Sequence, residues 1–108
     1  MKEDEIKNNL IISSKWIDSK EAIHVKNYLL TKFDYIQNVF VLHHHYGQAD
    51  EQYVFMINGE TIVDLETVEN EVTEYESSSI KAYFNENRKI PKLFRATINI
   101  AEALSKEK

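Results

Sequence analysis

The residues whose type and spacing most directly permit chemistry are three consecutive histidines, His43-His44-His45. On a strand, His43 and His45 point to one face and His44 to the other, because side chains alternate along an extended chain. Imidazoles at this spacing can share a zinc, copper or nickel ion if Asp64 or Glu51 supplies a further ligand. We predict no metal and no cofactor, and we keep His43 and His45 as candidate ligands for the alternative of a metal-binding protein or enzyme. In the simpler interpretation all three are side chains at the end of a strand.

Other enzyme classes lack their usual residues. The chain has no Cys and only two Gly, and one of these falls in the turn-like pair Asn58-Gly59. A thiolate metal site is therefore excluded, and a glycine-rich phosphate loop is not expected. Carboxylates close in sequence are abundant, but no pair has a spacing that marks it as an acid and base in a cleft. We predict that the protein is not an enzyme and has no catalytic residues.

The strongest chemical signal is a separation of charge. From Phe33 to Ile80 the chain has no Lys or Arg but ten acidic residues, whereas both flanks are rich in basic residues. A block of one sign projects a negative field that attracts cationic partners and repels nucleic acid and anionic membranes. The ordinary explanation is a solvated acidic surface. However, the segment from Glu66 to Glu76 holds five Glu and no Lys, and like charges this close destabilise local structure. A cationic partner would recover that loss.

Composition limits the class of protein. At 108 residues, with 43% hydrophobic residues, the chain is long enough for one domain with a real core. The charged start, residues 1–7, lacks the apolar segment of a signal peptide and is expected to fray. No apolar run approaches the length of a membrane span. We therefore expect one cytoplasmic domain.

A helix and three strands are predicted in the first two thirds of the chain. Apolar residues from Ala22 to Phe33 recur at steps of three and four, which indicates a helix over residues 19–33. Residues 8–17 fit either a short helix or a short strand. Strands are predicted over 35–46, 52–57 and 60–65. Asn58-Gly59 is typical of a type I′ turn, so these strands should form an antiparallel meander.

The last third is predicted to be helical. Val68, Val72, Tyr75 and Ser79 follow one another at steps of four, three and four, which fits a helix that either runs on to residue 86 or breaks at Ser77–Ser79. Pro91 suits the first turn of a final helix that reaches residue 106. The expected fold is α+β: a three-stranded antiparallel meander packed in two layers against three or four helices.

The predicted function follows from charge and size. Small, acidic, cysteine-free α+β chains are similar in general character, though in no specific motif, to bacterial immunity proteins and antitoxins. This similarity implies a non-enzymatic inhibitor that occupies the basic active-site cleft of a nuclease-like toxin. No nucleic acid or membrane is expected as a partner, although the basic residues between Arg88 and Arg95 would allow phosphate contacts. The alternative is a regulatory or adaptor subunit that acts by homo-oligomerisation. The predicted contact residues are the acids and possible tyrosine anchors Glu60, Asp64, Glu66, Glu69, Glu71, Glu74, Glu76, Tyr46, Tyr53 and Tyr75.

Overall fold

The computed structural model describes residues 2–107 and has an α+β fold, as the sequence predicts. One sheet contains four antiparallel strands in chain order, β1-β2-β3-β4. Four α-helices and one short 3₁₀ turn accompany the sheet among the described residues. In chain order the elements are α1 (Glu3–Trp16), the 3₁₀ turn (Lys20–Ala22), α2 (Ile23–Lys32), β1 (Val39–Tyr46), β2 (Asp50–Ile57), β3 (Thr61–Val68), β4 (Glu71–Ser79), α3 (Ile80–Glu86) and α4 (Lys92–Ser105).

The fourth strand corrects the prediction of a helix after residue 65. A turn at Glu69 and Asn70, with φ of 50° and 68°, reverses the chain and returns it as β4. Val72 of β4 pairs with Thr67 of β3, and Tyr75 pairs with Leu65. Between these two pairs β4 advances by three residues while β3 advances by two. This is a β-bulge. The three-residue step from Val72 to Tyr75, which fits a helical period, is produced by the bulge.

The central hairpin forms where Asn58-Gly59 predicts it. Both residues have positive φ, 56° and 67°, as a type I′ turn requires. Gly59 is required for a second reason, because a Cβ built there would lie 2.6 Å from the Cβ of Ser105. The Asn58 side chain accepts a hydrogen bond from the backbone N–H of Gln37 at 2.6 Å and donates one to the Tyr35 carbonyl at 2.7 Å. The turn therefore also fixes the segment that leads into β1.

Helices cover both faces of the sheet, where we expected one helix layer. Alternate residues of β2 belong to different cores: Phe55 packs with Val25 and Leu29 of α2, while Met56 packs with residues of α1 and α4. Neighbouring residues of a strand point to opposite faces. We call these the α2 face and the α1/α4 face. The strands are apolar on both sides for this reason.

The N-terminal segment is helical. Helix α1 begins at Glu3, within the stretch expected to fray. Of residues 8–17, for which the sequence left helix and strand open, all but Ile17 are in this helix. Ile6 and Leu10 are buried against the sheet. Ser13 lies beside β1, where its Oγ accepts a hydrogen bond from the N–H of Val41 at 3.0 Å. Helix α1 thus closes the outer edge of β1.

The two C-terminal helices begin directly after Ser79 and directly after Pro91. The Ser79 hydroxyl accepts a hydrogen bond from the N–H of Ala82 at 3.1 Å, which caps α3 at the end of the serine run. Pro91, predicted to lie in the first turn of the last helix, immediately precedes α4, and its carbonyl accepts the N–H of Arg95 at 3.0 Å. Across residues 2–107, no helix is both long and apolar enough to cross a membrane.

Candidate functional site

Four carboxylates meet on the α1/α4 face of β3 and β4. Asp64 lies directly opposite Glu76, and Glu66 lies directly opposite Glu74. Opposed residues of an antiparallel pair point to the same face, so the four side chains form one cluster. They line an open groove of about 590 Å³, which we call the acidic groove. Its other lining side chains on this face include His43, Gln52 and Val54.

The groove begins where the helix cover ends. Ile62 is fully buried with residues of α1 and α4, whereas Asp64, two residues further along β3, lines the groove. Tyr83 of α3 belongs to the same core. One part of this face is therefore covered by helices, and another part carries the acids.

The groove acids have no cationic partner on the described part of the chain. Within residues 2–107, ion pairs join Lys7 to Glu107, Lys26 to Asp18, Lys106 to Glu102 and His44 to Glu51. None of them involves a groove residue. The side-chain contact of the cluster is a long hydrogen bond of 3.5 Å from Gln52 Nε2 to Glu66 Oε2. The basic residues from Arg88 to Arg95 do not neutralise the groove either, and Arg95 lies 4.8 Å from the ring centre of Phe84.

The pKa values of two groups at the groove, Asp64 and Tyr83, are raised. Burial, and then the negative charge of Glu76, raise the pKa of the Asp64 carboxyl above its ordinary value of 3.8. Burial, followed by the charge of Asp64, also raises the pKa of the Tyr83 hydroxyl. Both raised pKa values mean that ionisation of these two groups, which adds negative charge, is disfavoured. A cation placed in the groove would be attracted for the same reason.

The other predicted acids lie at the ends of the sheet. Glu60 is the last residue of the β2–β3 turn, Glu69 lies in the β3–β4 turn, and Glu71 begins β4. All three are exposed. They add to the negative field around the groove but do not line it.

The three predicted tyrosine anchors lie on the α2 face, opposite the acids. Tyr53 is buried, and its ring centre lies 5.3 Å from that of Phe55. Tyr75 is half-buried and packs edge-on against Tyr28. Tyr46 is exposed but contacts His44 on the same α2 face. Tyr53 and Tyr75 are among the residues that line the groove, but strand alternation directs their side chains to the α2 face, away from the carboxylates.

The candidate histidine ligands occupy the groove face of β1. The strand register places His43 beside Val54 and His45 beside Gln52, and His43 lines the groove. Across residues 2–107, no group of three or more His, Asp or Glu side chains is arranged to hold a metal ion.

A second polar cluster, which contains the single carboxylate Glu51 and which the sequence did not reveal, lies on the α2 face. Glu51 accepts a hydrogen bond from the Tyr53 hydroxyl, and its Oε2 lies 3.2 Å from Nε2 of His44. The His44 ring stacks on Tyr53 with 4.2 Å between ring centres, and Trp16 flanks both rings. We call these four residues the Glu51 cluster.

The Glu51 cluster is electrostatically satisfied. The hydrogen bond from Tyr53 lowers the pKa of Glu51 below its ordinary value, and the contact with His44 acts in the same direction against the effect of burial. The pKa of Tyr53 is raised by burial and by Glu51. Because its partners already occupy it, Glu51 is a structural carboxylate. The i, i+2 spacing of Glu51 and Tyr53 was the available sequence signal, but only the fold adds His44 and Trp16.

Comparison with family models, with curated proteins and with solved structures gives no match for this chain. The similarity in general character to immunity proteins and antitoxins is therefore not accompanied by a matching family. The geometry of the acidic groove is the feature from which a function can be inferred.

Proposed function

We propose that this chain is a non-enzymatic protein-binding module whose acidic groove receives a cationic surface of another protein. The partner that fits best is a toxin domain of the nuclease type, because an active site that binds nucleic acid is lined with basic residues. The chain would inhibit such a toxin by occupying its cleft. This role is that of a bacterial immunity protein or antitoxin acting in the cytoplasm.

The observation that supports this proposal is the pair of like-charged cross-strand contacts, Asp64 with Glu76 and Glu66 with Glu74. Like charges directly opposite each other destabilise an antiparallel sheet, and opposite charges would stabilise it by roughly 0.2–1 kcal/mol per pair. No Lys or Arg of the described chain forms an ion pair with these acids. A basic partner would offset both repulsions by adding attractive contacts to each carboxylate.

The mechanism is electrostatic and steric. The net charge of −5, together with a stretch free of basic residues, draws a cationic surface toward this side of the molecule. Long-range attraction mainly raises the association rate, while contacts formed inside the groove set the dissociation rate. Nucleic acid and anionic membranes are repelled by the same field.

The test is affinity capture from the native cell with two matched variants. The groove variant carries Asp64→Asn, Glu66→Gln, Glu74→Gln and Glu76→Gln. The control variant removes the same charge at four exposed acids outside the groove, through Glu3→Gln, Glu5→Gln, Glu21→Gln and Asp34→Asn. We expect the wild type and the control to recover the same basic protein, and the groove variant to lose it.

Two further measurements complete this test. Raising the salt concentration should release the partner from the wild type, because screening weakens exposed charge contacts. The purified partner should lose its toxic activity when the wild type is added, and keep it when the groove variant is added. Equal capture and equal inhibition by the groove variant and the control would refute the proposal.

A further inference from the structure

The outer edge of β4 is open. β4 is the last strand of the sheet and pairs only with β3. All its residues are exposed or half-buried, and in the described chain its main-chain groups form no backbone hydrogen bond to any element other than β3. An open edge of this kind can pair with another extended chain.

The main-chain groups that face outward can be identified. The N–H of Ile80 donates to the carbonyl of Glu60 at 3.3 Å, in register with the β3–β4 pairing. In an antiparallel pair, residues that face the partner strand alternate with residues that face away. Counting back from Ile80, the N–H and C=O groups of Ser77 and Tyr75 point away from β3. These groups are available to a fifth strand.

The opposite edge of the sheet is protected. On β1, the N–H of Val41 is taken up by Ser13, and the register shifts between Val41 and His43. A helix across an edge and an irregular strand are two ways in which proteins prevent edge pairing. β4 has a bulge near its start, but from Glu74 to Ser79 its register is regular, and it has no Lys or Pro. The two edges are therefore not equivalent.

The charge on β4 selects the occupant. Glu74 and Glu76 point into the acidic groove, on the face where alternate side chains of an added strand would lie. A second copy pairing through β4 would bring these carboxylates against each other. An extended segment with Lys or Arg at every second position would instead place its cations beside them. Charge complementarity thus favours a basic segment over self-association.

We infer that the outer edge of β4 binds a Lys- or Arg-rich extended segment of the partner as a fifth antiparallel or parallel strand. The inference rests on the proposed function, since the same acidic groove would receive the basic side chains. Main-chain hydrogen bonds to Tyr75 and Ser77 supply the alignment, and the carboxylates supply the selectivity.

The test uses a short peptide with blocked ends in which Lys alternates with Thr. Two modified peptides keep its charge: one is N-methylated at every Thr, the other at every Lys. Methylation removes the main-chain donors that point to one edge of the peptide. One of the two should bind at least about tenfold more weakly than the parent, which corresponds to about 1.4 kcal/mol. Weakening by methylated Thr indicates antiparallel pairing, and weakening by methylated Lys indicates parallel pairing.

A matched pair of protein variants tests the same edge from the other side. Ser77→Pro removes an outward N–H and leaves the β3 ladder intact, whereas Ser77→Ala keeps that N–H. The parent peptide should bind Ser77→Ala as it binds the wild type and bind Ser77→Pro about tenfold more weakly. Circular dichroism and thermal unfolding show whether Ser77→Pro is folded. If it is not, the methylated peptides decide the question.

The outcomes separate this inference from the proposed function. Equal binding of the parent and both methylated peptides, or no binding of the parent, overturns strand addition. If the methylated peptides bind equally and the groove variant loses them all, the acidic groove remains a cation-binding surface. If the groove variant binds the parent peptide as tightly as the wild type, the groove is not the origin of the affinity.

Discussion

The Glu51 cluster and the acidic groove contain the same kind of side chain on opposite faces of one sheet, with opposite electrostatic outcomes. Glu51 has two internal partners, Tyr53 and His44, and the pKa of its carboxyl is lowered. Asp64 faces Glu76, and the pKa of its carboxyl is raised. From these directions we expect the ionised form of Glu51 to stabilise the fold and the ionised form of Asp64 to destabilise it. One face of the sheet thus carries a carboxylate with internal partners, and the other face carries carboxylates without a cationic partner among the described residues.

The largest effect is expected from removing the internal partner of Glu51. Tyr53→Phe deletes the hydroxyl that donates to Glu51 and leaves that carboxylate underpaired. We expect the free energy of unfolding at pH 7 to fall by about 1–2 kcal/mol, around the lower limit for charged hydrogen bonds, because the Glu51 side chain is 36% exposed. Urea unfolding of the wild type and the variant measures this difference in the free energy of unfolding. Tyr75→Phe is the control, because its ring packs against Tyr28, and it should change stability by less than about 0.5 kcal/mol. Equal losses in the two variants would mean that the hydroxyl of Tyr53 has no special role.

A somewhat smaller effect, with a defined pH dependence, is expected for Glu51→Gln. Because the pKa of Glu51 is lowered in the folded protein, its ionised form stabilises the fold above the pKa of the unfolded chain, and this contribution is lost as the pH falls through the lowered value. The variant should be less stable than the wild type by about 1 kcal/mol at pH 7. The difference should shrink as the pH falls below the ordinary value of 4.5. A difference that persists unchanged in acid would contradict this assignment.

Asp64→Asn is expected to change the stability in the opposite direction. Because the pKa of Asp64 is raised, its protonated form favours the fold at low pH, and this contribution is lost as the pH rises through the raised value. The variant should therefore be more stable than the wild type by about 0.5 kcal/mol at pH 7. The gain should disappear on acidification below the ordinary value of 3.8. Thermal unfolding across this pH range measures it, and a loss of stability at pH 7 would show that Asp64 is already compensated.

The smallest effect is expected for Glu69→Gln, which removes the same charge at the β3–β4 turn. Glu69 is exposed and does not line the groove, so stability at pH 7 should change by less than about 0.3 kcal/mol. This variant separates local repulsion from net charge. If it stabilised the protein as much as Asp64→Asn, the gain at Asp64 would reflect total charge and not the contact with Glu76.

The parts of the fold that the sequence predicted correctly depend on local chemistry. Asn58-Gly59 favours positive φ by itself, and Pro91 favours the start of a helix by itself. The α+β class follows from such signals. The strand β4 was missed because the bulge gives Val72 and Tyr75 a helix-like spacing, and because Glu69 is an unusual residue at positive φ.

The candidate site was predicted in composition but not in arrangement. The absence of Lys and Arg between Phe33 and Ile80 identified the acids, since charge is visible in any sequence. The opposition of Asp64 to Glu76 depends on strand register, which no local pattern specifies across a bulge. The same register places Tyr75 on the far face. The contact of His44 with Glu51 depends on the β1–β2 pairing and on the position of Trp16, and both are set by the tertiary structure.

The chain-order meander described above also has a kinetic consequence. Each strand pairs with its neighbour in sequence, so the sheet can assemble outward from the Asn58-Gly59 hairpin with short loops to close. The docking of α1 against α4 joins the two ends of the chain and closes the longest loop. We expect it to come late. During that interval the edges of β1 and β4 should both be bare, and we expect the repulsion among the glutamates of β4 to oppose aggregation of nascent molecules through that edge.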